Sequence, residues 1–412
     1  MMHEDKAEPQ SGSDGKPEGT ASEVFSAFLK LGVTSFGGPI AHLGYFRDEL
    51  VQRRQWVSEE RYADLVALCQ FLPGPASSQV GFALGLLRAG PLGALAAFTA
   101  FTLPSALILI AFAYGADAFG GPVGLGLIHG LKLVAVAVVA QAVWGMAQNL
   151  CPDKERAAIA VISVFIVTFL AGAGGQILAI LFGVGVGFAV LRTPSQSGER
   201  HMRFPVSGPV AAVCFALFLV LLIGVPLVAG GATDTALSVF DGFYRAGALV
   251  FGGGHVVLPL LQSEVVATGW LSSESFLAGY GAAQAMPGPL FTFASYLGAA
   301  MSEPIGGLMG ALVATIAVFL PGFLLLIAAL PFWNVIALRA DARAAMRGAN
   351  AAVVGILAAA LYNPVWTSAV LRPADFAVAL AGFILLVRWK LAPWIVVVLL
   401  GAAGVALKLL LG

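Results

Sequence analysis

Residues 70–75 (QFLPGP) interrupt a long apolar stretch of this chain, and residues 284–289 (QAMPGP) repeat the interruption in its second half. Proline and glycine break a helix, and the backbone groups that they free find no water in lipid, which costs several kcal/mol per group. Each break is therefore predicted to line a cavity enclosed by protein. Glycine before a helix and proline at its first position favour helix starts, so half-helices are predicted to begin at Pro75 and Pro289.

These half-helices predict a site for an anion inside the membrane. The N-terminus of a helix carries the positive end of its dipole and N–H groups without helical partners. Membrane transporters use interrupted helices in this way for anionic substrates. We therefore expect the two breaks to converge on one positively polarised pocket.

The composition identifies a helical membrane protein. Of the 412 residues, 59% are hydrophobic and 11% are charged, and many apolar runs are long enough to span a bilayer. The net charge is zero, so the expected partners are the lipid bilayer and a substrate within it, not nucleic acid. The three cysteines stand alone, and no cluster predicts a metal or another cofactor. Residues 1–22 are polar and predict a disordered tail.

Internal similarity divides the chain into two halves, residues 23–192 and 238–411. Residues 24–32 followed by Phe-Gly-Gly recur at 239–247, again followed by Phe-Gly-Gly, and Trp56 recurs as Trp270. In each half we predict a segment broken at Gly-Gly, a hairpin broken at Pro-Gly-Pro and four spans. Residues 193–237 are a linker with one unmatched span at 209–229. The predicted spans are 91–114, 122–149, 157–171 and 176–192, then 306–330, 347–362, 374–388 and 392–411.

The unmatched span turns the second half upside down relative to the first. Lys and Arg in short loops collect on the cytoplasmic side, and the charged loops of the two halves are opposite. In the first half the basic loop follows the Gly-Gly and contains Arg47, Arg53, Arg54 and Arg61. In the second half the basic loop follows the first full span and contains Arg339, Arg343 and Arg347. The prediction is an all-α polytopic protein of two inverted-topology repeats with broken or re-entrant helices. Drift of loop charges after a duplication is the alternative.

Lys30 and Arg245 are cations at equivalent positions, each six residues before its Phe-Gly-Gly. A cation at the centre of a span costs about 2.5 to 3.5 kcal/mol. Its presence in both halves predicts a role in balancing the charge of a bound anion. Snorkelling to the headgroups is the alternative.

Polar and glycine residues around the breaks complete the predicted site. Gln70 and Gln284 offer amide donors, and residues in the first turns of the half-helices are placed to contact an oxyanion; bonds to their own backbone are the alternative. His42 and His255 are candidate proton carriers or neutral, satisfied histidines. The predicted substrate-binding residues are Lys30, Gly37, Gly38, His42, Gln70, Pro73, Gly74, Pro75, Gln79, Arg245, Gly252, Gly253, Gly254, His255, Gln284, Pro287, Gly288, Pro289 and Thr292.

No motif for catalysis is present in the sequence. The chain lacks a Walker A loop for ATP, a His-Glu-x-x-His zinc motif and a Gly-x-Ser-x-Gly nucleophile turn. Enzymatic chemistry therefore has no candidate nucleophile.

Four motifs carry a resemblance to a known family: residues 36–39 (FGGP) with His42, residues 70–75, residues 251–255 (FGGGH) and residues 283–289 (AQAMPGP). In these motifs the chain resembles the chromate ion transporter family, in its long form with two homologous halves. The resemblance extends over nearly all of residues 23–411. It implies a bacterial inner-membrane protein that exports chromate and confers chromate resistance, with sulfate as a related oxyanion. The Gly-Gly-Pro of the first half stands against Gly-Gly-Gly in the second, so strict twofold symmetry of the site is in question.

Together these features predict export of a tetrahedral dianion such as chromate. An inside-negative potential favours anion exit by about 2.3 kcal/mol per charge per 100 mV, so a dianion gains about 5 kcal/mol. Uptake of sulfate or another oxyanion by the same architecture is one alternative, and a passive anion channel is another. The sequence leaves open the oligomeric state, including a homodimer, the proton coupling, and whether the motion is rocking or an elevator.

Overall fold

A computed structural model describes residues 19–115, 121–170, 172–192, 204–229, 236–302, 305–333 and 339–411. Within these ranges the chain consists of helices and the turns that join them, with no β-strand. Most of the predicted tail, linker residues 193–203 and most of the basic-free loop 115–121 lie outside the described residues. Seven of the described helical stretches are long and apolar enough to cross a membrane, which confirms a polytopic helical protein.

The first half and the linker contain eight helices among the described residues. The helices are α1 (Ala21–Thr34), α2 (Gly38–Phe46, extended by the π-helical turn Arg47–Arg53), α3 (Glu59–Phe71), α4 (Ala76–Gly115), α5 (Gly121–Leu150), α6 (Lys154–Phe169), α7 (Ala173–Val190) and α8 (Gly208–Leu219). Helix α8 continues through a π-helical turn to Ala229 and is the predicted unmatched span.

The second half repeats this order. Its helices are α9 (Ala236–Ala248), α10 (Val257–Val265), α11 (Ser273–Ala283), α12 (Phe293–Ala300), α13 (Gly307–Ala329), α14 (Ala340–Ala360, extended through Leu361–Trp366 to Ala369), α15 (Pro373–Val387) and α16 (Pro393–Leu411). Equivalent serines begin equivalent helices: Ser58 Oγ accepts from the N–H of Arg61 in α3, and Ser272 Oγ accepts from the N–H of Ser275 in α11.

Each half opens with a hairpin that enters and leaves on the same side. Lys30 Nζ lies 2.7 Å from Glu49 Oε2, and Arg245 Nη2 lies 2.7 Å from Glu264 Oε2, so the segments before and after each Phe-Gly-Gly run back along each other. The broken segments are therefore re-entrant, a question that the sequence left open. We call their turns, residues 35–39 and 250–254, the Gly-Gly tips.

A second re-entrant hairpin follows in each half and turns at the Pro-Gly-Pro, which we call the Pro-Gly-Pro tip. Helix α4 is non-helical at Ala89 and Gly90, and its two arms pack so closely that Gly85 and Gly93 leave no room for a Cβ. The first arm thus returns to the side where α1 begins, where Arg88 pairs with Glu23 at 3.2 Å. Only the second arm, from residue 91, crosses, as predicted.

The last helices of each half pack against the other half. Helix α5 lies along α15 and α16, while its counterpart α14 lies along α6 and α7. The contacts are reciprocal: Gly130 of α5 packs on Gly401 of α16, and Gly348 of α14 packs on Gly183 of α7. Small residues let helix backbones approach closely in membranes, so the two halves form one interlocked bundle.

The helix ends fall on two faces. Arg192 after α7 pairs with Asp341 of α14 at 3.1 Å, which places these ends on one face together with the bases of the first-half hairpins. Counting crossings from there puts the bases of the second-half hairpins on the opposite face, so the repeats are inverted. The first face, called the basic face, carries Arg53, Arg54, Arg88, Lys154, Arg156, Arg192, Arg339, Arg343, Arg347, Arg388 and Lys390. The bias of short loops predicts that this face is cytoplasmic.

Candidate functional site

The re-entrant tips of the two halves meet inside the bundle. The N–H of Gly74 donates to the carbonyl of Val250 at 2.7 Å, and the N–H of Gly288 donates to the carbonyl of Ser35 at 2.9 Å. Each Pro-Gly-Pro tip is thus bonded to the Gly-Gly tip of the other half. Because Gly74 and Gly288 are equivalent, as are Ser35 and Val250, the contacts follow a pseudo-twofold axis.

The two Gly-Gly tips touch each other at that axis. A Cβ built on Gly254 would lie 3.2 Å from Cγ of Pro39. These residues occupy the same position after their Phe-Gly-Gly, and equivalent residues contact each other only near a twofold axis. The Gly-Gly-Pro against Gly-Gly-Gly difference noted in the sequence therefore falls at the centre of the arrangement.

Each Pro-Gly-Pro tip also packs on the long crossing helix of the other half. A Cβ on Gly74 would lie 3.0 Å from the Cα of Gly322, one residue after Pro321, and a Cβ on Gly288 would lie 3.0 Å from Oγ of Ser105, one residue after Pro104. Both tip glycines have positive φ, +120° and +88°. Glycine is needed at both positions because the backbone has positive φ there and because a side chain would collide with the helix of the other half.

The half-helices begin where the sequence predicts them. Helix α4 starts at Ala76, directly after Pro75, and a 3₁₀ turn starts at Leu290, directly after Pro289, and leads into α12. Both N-termini point into the bundle from the tips, with the positive ends of their dipoles there.

Five buried side-chain atoms around the first half of the site have no hydrogen-bond partner in the described structure. They are Ser35 Oγ, His42 Nε2, Ser78 Oγ, Gln79 Oε1 and Thr102 Oγ1. Buried polar atoms are nearly always bonded to protein or water. A set of free donors and acceptors beside a helix N-terminus is what a hydrated oxyanion needs.

Neighbouring contacts fix these side chains in place. His42 Nδ1 lies 3.3 Å from Ser77 Oγ, and the ring stands edge-on to Phe101 at 5.3 Å. The Gln79 amide donates to the carbonyls of Pro73 at 3.0 Å and Gly322 at 2.9 Å, which leaves its oxygen free. Gln79 thus binds its own tip to the crossing helix of the other half.

The second half of the site has different side chains. His255 Nδ1 lies 2.8 Å from the hydroxyl of the fully buried Tyr280, and Nε2 of Gln284 is unpartnered in the described structure. Thr292 Oγ1 donates to the carbonyl of Pro289 at 2.7 Å, the backbone bond given above as the alternative for such a residue. The site therefore has symmetric backbone and asymmetric side chains.

Lys30 and Arg245 lie at the sides of the hairpins, each beside a carboxylate. Glu49 accepts from Lys30 and also from Arg53 and Arg54, while Arg245 bonds both Glu264 and Asp241. Glu49 and Glu264 hold equivalent positions, so the same ion pair closes the first hairpin of each half. The sequence predicted that Lys30 and Arg245 balance the charge of a bound anion. In the structure each of these cations is paired with a carboxylate of the protein instead.

The two predicted glutamines differ in exposure. Gln70 is exposed at the end of α3, whereas its equivalent Gln284 is half-buried. The Gly-Gly tips have positive φ at Gly37, Gly38, Gly252 and Gly253. Ser35 and Thr102 are not among the predicted residues, although Ser35 directly precedes the first Phe-Gly-Gly and Thr102 precedes Leu103-Pro104.

Two inverted halves whose interrupted hairpins meet within a helical bundle define a multi-pass membrane transporter. The chain belongs to the chromate transporter family, whose model matches residues 22–188 and 237–405. Proteins of this family are transporters and not enzymes, and membership implies chromate as the transported ion. The family model matches the chain twice, as expected for two repeats.

Relatives of similar length support this assignment. A chromate transport protein of Pseudomonas aeruginosa is 27% identical over 418 residues, covering 98% of this chain and 97% of that protein. A chromate transport protein of Cupriavidus metallidurans is 27% identical over 84% of this chain and 82% of its own length. An uncharacterized transporter of Methanocaldococcus jannaschii is 26% identical over 81% of this chain and 82% of its own length. No solved structure matches the chain.

Proposed function

We propose that this protein exports chromate from the cytoplasm through the junction of the four re-entrant tips, and thereby confers chromate resistance. The observation that carries the proposal is the reciprocal bonding of Gly74 to Val250 and of Gly288 to Ser35. It brings two interrupted helices, one from each face, to one place in the bundle. A site reached by hairpins from both faces is the geometry that alternating access requires.

The ligand chemistry follows from the groups at the tips. Two helix N-termini, the hydroxyl and imidazole atoms without partners in the described structure, and the unpartnered Nε2 of Gln284 supply donors for oxyanion oxygens. No carboxylate is among those unpartnered atoms in the described structure. Chromate and sulfate share this shape and charge, and sulfate is the alternative substrate.

Charge around the equivalent ion pairs favours outward movement. On the basic face three cations, Lys30, Arg53 and Arg54, surround Glu49. On the opposite face Arg245 is bonded to two carboxylates, those of Asp241 and Glu264. The cytoplasmic approach thus attracts a dianion and the outer approach repels it, in the direction that the membrane potential also drives.

A half-buried cation lies between the basic face and the tips. Nε and Nη2 of Arg343 are buried and have no partner in the described structure, and buried polar atoms of a charged group are costly to leave without an anion. Asn350 lies two turns further along the same face of α14, and its unpartnered Oδ1 is beside Gly252. Arg343 is therefore proposed to receive the oxyanion before it reaches the Gly-Gly tip.

The experiment is uptake of radiolabelled chromate by inside-out membrane vesicles with an imposed potential. We expect accumulation with the wild type, and at least tenfold less with Ser78→Ala, because the Ser78 hydroxyl has no partner among the described residues. The matched control is Ser163→Ala, a buried serine bonded to its own helix at Ile159, which should transport normally. Accumulation only in right-side-out vesicles would favour oxyanion uptake, and unitary currents in a planar bilayer would favour a channel; either result would refute export.

A further inference from the structure

A second cation lies on the outer side of the bundle, away from the tips. Lys132 is in the middle of α5, its side chain is 6% exposed, and its Nζ lies 3.0 Å from Oε1 of Glu274. Glu274 lies in the first turn of α11, and its side chain is 73% exposed. A buried ammonium is therefore paired with a carboxylate that the rest of the protein hardly covers.

The carboxylate of the pair lies beside open space that leads outward. A cavity of about 140 Å³ is lined by Glu274, Ser275, Tyr296 and apolar residues that include Leu131, the neighbour of Lys132, and a second cavity of about 560 Å³ shares Ser275 and Tyr296 with it. Both volumes far exceed the ~15 Å³ that admits a water molecule. The larger cavity is also lined by Tyr114 and Gly306, at helix ends on the face opposite the basic one.

The pair also lies on the path from the second Pro-Gly-Pro tip. Gly281 packs so closely on the carbonyl of Leu131 that no Cβ would fit between them. Helix α11 runs from Glu274 at the outer face to Gln284 at the tip, so Lys132 lies alongside the re-entrant helix between the tip and the outer cavities.

This cation has no counterpart in the other half. Gly130 and Gly348 make equivalent contacts with Gly401 and Gly183, and the residue two positions after each is Lys132 in α5 and Asn350 in α14. The equivalent of Glu274 is Glu60, two residues after the capping Ser58. The side opposite the basic face therefore has Lys132 and Glu274, and the equivalent positions on the side of the basic face are Asn350 and the exposed Glu60.

We propose that Lys132 is an anion-binding site on the outward route, that the Glu274 carboxylate occupies it in this state, and that the transported oxyanion displaces Glu274 on its way out. This inference rests on the proposed oxyanion transport. An exposed carboxylate and a tetrahedral oxyanion offer the ammonium the same ligand atoms, so one replaces the other without leaving the buried charge unpaired. When the oxyanion has left, Glu274 returns and keeps external anions out.

The test is thermal unfolding of the purified full-length protein in gluconate buffer, with sulfate added as the probe. Glu274→Gln leaves Lys132 unpaired, so its Tm should fall by several degrees without sulfate and rise again with it. Half of that rise should occur at a sulfate concentration about tenfold lower than wild type requires. Adding Lys132→Gln to Glu274→Gln should remove this added response and leave only sulfate binding at the tips, whereas adding Lys132→Arg to Glu274→Gln should retain it.

The matched control is Glu60→Gln, which removes the equivalent carboxylate where Asn350 replaces the lysine. Its sulfate response should equal that of the wild type. A Glu274→Gln response no larger than that of Glu60→Gln, or one that survives in the double variant, would overturn the proposal. Chromate accumulation in wild-type vesicles tests the transport proposal separately: its absence would refute export, and the sulfate response of Glu274→Gln would still decide whether Lys132 binds an anion.

Discussion

Replacement of Gly288 by alanine tests the junction of the tips directly. Its φ of +88° puts an alanine in the left-handed region, at a cost of about 1 to 2 kcal/mol. The added Cβ would lie 3.0 Å from the carbonyl oxygen of Phe101 and from Oγ of Ser105, and overpacking of this kind costs about 1 to 3 kcal/mol. The expected loss of unfolding free energy is therefore about 2 to 5 kcal/mol.

Relaxation of the tip would not remove the defect. If the alanine moves away from Phe101 and Ser105, the N–H of residue 288 gives up its bond to Ser35, worth about 1 kcal/mol, and the tips separate. We therefore expect Gly288→Ala to lose chromate transport even in the fraction that remains folded. Gly74→Ala, with φ of +120° and a Cβ 3.0 Å from Gly322, should show a defect of the same size.

The assay is denaturant unfolding in detergent together with chromate accumulation in inside-out vesicles. Gly145→Ala is the matched control, because this helical glycine in α5 has open space around its Cβ; its stability should equal or exceed the wild type by up to about 1 kcal/mol. Wild-type unfolding and wild-type transport in Gly288→Ala would show that the tips do not approach as described.

Three further predictions, each with its own substitution and measurement, follow from the side chains described above. Gln284→Ala should reduce chromate transport strongly while Gln70→Ala should leave it unchanged, because Gln284 has a buried amide nitrogen without a partner in the described structure whereas Gln70 is exposed; equal effects in vesicle transport would contradict this. Arg343→Gln should raise the KM for cytoplasmic chromate about tenfold with little change in kcat, and an unchanged KM would remove Arg343 from the route. Glu264→Gln should destabilise the protein by about 2 kcal/mol by leaving Arg245 with Asp241 alone, measured by denaturant unfolding, and adding Arg245→Gln should restore part of that loss if the ion pair is its cause.

The sequence was sufficient to predict the backbone plan of the site. Pro-Gly-Pro and Gly-Gly break helices wherever they occur, and lipid forbids such breaks outside a protein interior. Their repetition at constant spacing, with loop charges reversed, was enough to predict two inverted halves. The starts of the half-helices after Pro75 and Pro289 follow from the same local chemistry.

The partners of the charged side chains could not be predicted in this way. The Lys30 to Glu49 contact depends on how the hairpin turns at its tip, and a hairpin that crossed the membrane would have separated the two residues. Likewise, Ser35 and Thr102 carry no motif of their own, and their place at the site comes from the packing of Gly288 against the other half. Side-chain contacts between the halves depend on how the helices pack against each other. The pattern of residues within one helix does not determine that packing.

The exchange of terminal helices constrains how the protein is made. Helices α6 and α7 enter the bilayer before the ribosome has synthesised α14, the helix against which Gly183 packs. During that interval their glycine-lined surface faces lipid or a transient companion in the insertion machinery. Complete closure of the bundle must therefore wait until the second half has been translated, and a chain severed in the linker would need both pieces in the same membrane to assemble.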